Sequence, residues 1–146
     1  MKTNNSKLVE RLNQLLADYQ IYYQNLRGLH WNVKGAQFFM LHEKYEELYN
    51  EAAESVDEIA ERILMVGGQP LHTFSDYLNT ADLKEAGFIS DSKKGVEVVL
   101  ENSRYLLKSF NEILELAGGD EGTSALMSDL IGATEKRIWM LESTLG

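Results

Sequence analysis

Apolar side chains recur along most of this chain at helical spacing. Val9, Leu12, Leu16, Tyr19, Tyr23, Leu26, His30 and Val33 follow one another at steps of three or four, a seam that suits packing against other helices. The spacing predicts a first helix over about 7–34, ended by "KGAQ". A second follows over about 37–66, with Leu41, Tyr45, Leu48, Ala52, Val56, Ile59, Ile63 and Val66 on one stripe. Tandem glycines and the only proline, in "GGQP", stop it. The connector 67–91 is too long for a tight turn and has room for one short helix. A third helix is expected over about 92–117, with Val96, Val99, Leu100, Leu106, Leu107, Phe110 and Leu114 inward. A fourth is expected over about 122–145, with Leu126, Leu130, Ile138 and Leu141 inward and Trp139 read as core. No stretch alternates as a strand does. The expectation is an all-α, single-domain four-helix bundle covering 1–146, with one long crossover between the second and third helices.

Composition narrows the chemistry. At 44% hydrophobic the chain can bury a real core. Its formal charge of −9 opposes simple electrostatic binding to nucleic acid or anionic lipid, and suits a protein that attracts cations. Cysteine is absent, so a transition metal would have to be held by His and carboxylate. No apolar run reaches membrane-spanning length and the first residues do not read as a signal peptide, which leaves a cytoplasmic location as the expectation.

The second helix carries a set of side chains that the core does not explain. With His42 set at zero and about 100° per residue, Glu46 falls near 40°, Asp57 near 60° and Glu61 near 100°, at the border between the apolar stripe and the outer face. Asp57 and Glu61 are four residues apart and can converge on one cation. His42 and Asp57, however, are separated by about 22 Å of helix at 1.5 Å per residue, whereas ligand bonds are about 2 Å long. Either there are two sites, or a second copy of the helix runs antiparallel across a two-fold axis. His30, on the seam of the first helix, adds a further imidazole. Two imidazoles and three carboxylates suit Fe(II), Mn(II) or Zn(II). A hydrogen-bonded core histidine and a solvated acidic face are the plainer readings of the same residues.

The segment "LRGLHWNVKGAQFFMLHEKYEELYNEAAESVDEIAERIL", followed by "GGQP", closely resembles the Dps family, the mini-ferritins. Its specific parts are the His-Trp pair, the second His twelve positions later, and Asp-x-x-x-Glu; the likeness extends to "KRIWMLES" near the end. The resemblance implies a ferritin-like subunit with a short helix in the long connection, assembled as a hollow homo-dodecamer of 23 symmetry. It also implies a ferroxidase that oxidises Fe(II), preferably with hydrogen peroxide, and stores Fe(III) oxyhydroxide, with Zn(II) or Mn(II) as substitute occupants. On that resemblance the site holds two iron ions between subunits, with His30 and His42 from one chain and Asp57 and Glu61 from its neighbour. Glu46 stands where the family often has Asp. Trp31 is assigned either packing or the quenching of stray oxidising equivalents. Asp120, Glu121 and Asp129 are assigned to a pore; supplying negative charge to the N-terminus of the last helix is an equally good account. No Glu lies three residues before any histidine, which disfavours the Glu-x-x-His centre built inside one bundle in larger ferritins. Members of the family that bind DNA often carry a Lys/Arg-rich tail. Here Lys2 is the one side-chain cation ahead of the expected first helix. DNA binding is therefore not expected at neutral pH.

Overall fold

In a computed structural model, residues 2–146 of the chain are described, with side chains from residue 5 onward. The order is α1 (Lys2–Asn32), α2 (Phe38–Met65), α3 (Phe74–Thr80), α4 (Ser92–Ala117) and α5 (Glu121–Leu145), with no strand among the described residues. α1 packs against α2 and α4, α4 packs against α5, and α3 lies on α1. No helix among the described residues is long and apolar enough to cross a membrane.

The expected stripes are the ones that meet. Leu12, Leu16, Tyr19, Leu26 and Val33 of the first seam are buried, as are Leu41, Tyr45, Leu48, Ala52, Ile59 and Ile63 of the second. α1 begins at Lys2 rather than near position 7, because its first residues lack an apolar stripe yet contain nothing that breaks a helix. Trp139 is a correction: it is 64% exposed rather than core. Its neighbour Ile138 packs against the core, and one residue turns the helix by about 100°, enough to swing the indole off that face.

Polar groups fix the crossover. Asp18, fully buried on α1, accepts hydrogen bonds from the backbone N–H groups of Asp82 (2.7 Å) and Leu83 (2.9 Å) and from the Gln14 amide (3.3 Å). Burial outweighs these bonds and raises the Asp18 carboxyl above its ordinary 3.8. Seven residues on, the Asn25 amide donates to the Lys84 carbonyl and to Asn102, and its oxygen accepts from Ala86 N–H. Two turns of one helix face thus hold the strand-like stretch between α3 and α4, which has no ladder of its own to satisfy its backbone.

A second clamp joins the end of α2 to the start of α5. Arg62 donates to Asp120 (2.8 Å) and to the Thr123 hydroxyl (3.0 Å). Asp120 is also the N-cap of α5, accepting from Thr123. The guanidinium lies where a β-carbon on residue 122 would be, so any side chain there would have to displace it.

Candidate metal centre

His30 ends up two residues before the end of α1, and His42 in the second turn of α2. His30 is 6% exposed and His42 half-buried. Each imidazole hydrogen-bonds the other's main chain. His30 Nδ1 donates to the His42 carbonyl (2.6 Å) and His42 Nδ1 to the His30 carbonyl (2.7 Å). A carbonyl oxygen can only accept, so both Nδ1 atoms carry hydrogen. In the neutral ring the lone pair is then on Nε2, the state a metal ligand requires. The local reason is the end of α1, since the last carbonyls of a helix lack intrahelical partners. Lys34 N–H goes to the Ser90 carbonyl, and the His30 carbonyl is met by His42 instead. The two rings stack with centroids 3.7 Å apart and planes 15° apart.

Around this pair, Phe38 stacks on His42 (4.9 Å, 21°) and Tyr49 meets His30 edge-on (5.3 Å, 83°). Neither was singled out in the sequence, although Phe38 precedes His42 by four residues and so shares its helix face. Trp31 is 57% exposed, with the Arg27 guanidinium 5.0 Å from its ring.

The carboxylates are distributed along α2. Glu46 Oε1 lies 3.9 Å from His30 Nε2, beyond hydrogen-bond length but within ion-pair range. Asp57 and Glu61 are exposed near the other end of the helix. Among the described residues no three His, Asp or Glu side chains gather closely enough to hold a metal ion. One chain therefore offers two imidazoles and a carboxylate at one end of α2 and two carboxylates at the other. Of the expected pore acids, Asp120 is engaged by Arg62 and by the α5 cap, which supports its capping role, while Glu121 and Asp129 are exposed.

The ferritin-like domain family matches residues 9–146. A Dps protein from Vibrio cholerae O1, described as a member of a broad superfamily of ferritin-like diiron-carboxylate proteins, superposes with a TM-score of 0.97. It is 47% identical over 99% of this chain and 92% of its own. This chain belongs to the Dps family. Among other Dps relatives, the DNA protection during starvation protein of Porphyromonas gingivalis is 44% identical over 138 residues, 93% of this chain and 87% of its own. DNA protection during starvation protein 2 of Bacillus anthracis is 40% identical over 143 residues, 97% and 98% of the two chains. The all-α, ferritin-like Dps fold expected from the sequence is thus the fold of the chain.

Proposed function

We propose that this Dps protein is a ferroxidase and iron store whose site is completed only between two subunits. The observation that carries this reading is the division of ligands along α2: two imidazoles with Nδ1 tied back at one end, Asp57 and Glu61 at the other. No sufficient cluster lies within the described residues of one chain. Two copies of α2 crossing head to tail about a two-fold axis bring the halves together twice, giving two equivalent sites. Each site takes His30, His42 and Glu46 from one subunit, and Asp57 and Glu61 from its partner.

Fe(II) is the substrate. Two ions occupy each site, held by the paired imidazoles and the carboxylates. The carboxylates offset the charge of the two cations. Two Fe(II) each give one electron to hydrogen peroxide, whose O–O bond breaks. With two protons the products are two Fe(III) and two water molecules, and no hydroxyl radical is released. The Fe(III) then passes inward and accumulates as oxyhydroxide in a hollow dodecamer of 23 symmetry, with Glu121 and Asp129 as candidate pore acids. Zn(II) and Mn(II) would compete for the same ligands. Protection of DNA, which the names of the P. gingivalis and B. anthracis relatives state, would here follow from removing iron and peroxide rather than from coating the polymer. Twelve copies at −9 each carry about −108 formally.

The test is peroxide-dependent oxidation of Fe(II) by the purified assembly, with bound iron measured after gel filtration. His30→Ala and Asp57→Ala should each slow oxidation by about tenfold or more, since losing even a ligand's supporting partner costs that much. Wild-type rates in both variants would overturn the reading.

A further inference from the structure

The two bonds to Nδ1 determine which nitrogen each imidazole offers, but leave its plane free to rock about the bond. What lies against the ring faces sets that tilt. Phe38, His42 and His30 form a column, 4.9 Å at 21° and then 3.7 Å at 15°. Tyr49 and His30 meet with their ring planes nearly perpendicular, at 5.3 Å and 83°. Tyr49 is braced in turn by Tyr23 of α1, at 6.0 Å and 87°. Phe38, Tyr49 and Tyr23 are all partly buried against the core, so the column stands on the bundle rather than on solvent.

We infer that Phe38 and Tyr49 are positioning residues for the paired imidazoles, acting through ring contact and not through ligation. This rests on the metal-site reading above. Phe38 has no atom that can bind a cation, so any effect it has on metal binding must pass through His42. Its contribution has two parts. A flat wall removes ring orientations that metal binding would otherwise have to remove, and a site held in advance binds more tightly. The electron-rich face also favours the positive charge that an imidazole takes on when its Nε2 binds a cation. Leucine at position 38 would fill much of the space while supplying neither a plane nor a π face. Tyrosine would supply both. The arrangement resembles the outer support that histidine ligands ordinarily receive from hydrogen-bond partners, but here the hydrogen bonds are main-chain and the side-chain support is aromatic.

The experiment uses Co(II) alone, a divalent probe with visible ligand-field bands, titrated into the assembled protein without oxidant. Phe38→Leu should weaken Co(II) binding by about tenfold or more, the scale for lost supporting groups, and shift the band. Phe38→Tyr should restore both. Tyr49→Leu should behave like Phe38→Leu, and Tyr49→Phe like wild type. With Fe(II) and peroxide, the Leu variants should raise the apparent KM for iron. A merely space-filling role would leave the Co(II) spectrum unchanged in Phe38→Leu. If His30→Ala loses Co(II) while Phe38→Leu retains wild-type affinity and spectrum, the positioning role is overturned and the metal site stands. If His30→Ala itself binds Co(II) as wild type does, the metal site is wrong and this inference goes with it.

Discussion

Mixing two inactive subunits should restore activity, in an amount that the geometry fixes. Consider His30→Ala and Asp57→Ala chains, each expected to assemble without functional sites. If every site takes its histidines from one subunit and Asp57/Glu61 from the other, a mixed dimer contains one site with both lesions and one with neither. Co-expressed at equal levels and pairing at random, half the dimers are mixed, and each carries one intact site of two. About one quarter of all sites are then complete, so oxidation should return to about one quarter of the wild-type rate. The separation behind this is large. Residues 42 and 57 stand about 22 Å apart along one α2 at 1.5 Å per residue, while the close His–carboxylate approach within the chain is His30 to Glu46 at 3.9 Å. The assay is stopped-flow oxidation of Fe(II) by peroxide on assemblies purified through two different tags, with mass spectrometry giving the ratio of chains. Activity no higher than that of the parents, in assemblies shown to contain both chains, would refute the shared site. Either parent oxidising iron at the wild-type rate would refute it as well.

Further outcomes follow from the fold and from the charge of the chain. Asp18→Ala should cost about 2–6 kcal/mol in thermal or urea unfolding, because it leaves the N–H groups of Asp82 and Leu83 without their acceptor at about 1–3 kcal/mol each; a loss below about 1 kcal/mol would show that water replaces the carboxylate. Burial raises the Asp18 pKa above 3.8, so the folded state binds its proton more readily than the unfolded chain does. Relative to Asp18→Asn, the wild type should gain stability as pH falls from neutral through that raised value to 3.8, with no further change below; a gap independent of pH would contradict this. Arg62→Met should destabilise by about 1–3 kcal/mol through loss of the Asp120 and Thr123 bonds. Gly122→Ala should act through the same guanidinium, so the double variant should be no worse than Arg62→Met, and additive losses would separate the two residues. In a gel-shift assay at physiological salt without added divalent metal, the assembly should leave duplex DNA unretarded, as expected from a charge of −9 per chain; clear retardation would reverse that reading.

The amino-acid order alone determined the number of long helices and the faces they bury, because helical repeat and apolar side chains act locally and add up along a segment. Leu12, Leu16, Tyr45, Ile59 and Phe110 are buried where that repeat placed them. It also determined that His42 and Asp57 of one chain cannot serve the same ion, because the length of a helix fixes how far apart they lie. Trp139 marks where such reading fails: next to an inward residue on a helix, a large aromatic ring is a poor guide to burial. Tertiary structure alone decided how the histidines are held. His30 and His42 lie on different helices, and their reciprocal bonds exist only because the end of α1 crosses the start of α2. Likewise Asp18 looked like one more acid until the crossover was laid over it, and Arg62 like one more surface cation until α5 brought Asp120 and a bare glycine beneath it. Hydrogen bonds and ring stacking act over a few ångströms in space, and distance along the chain carries no record of which groups will come that close.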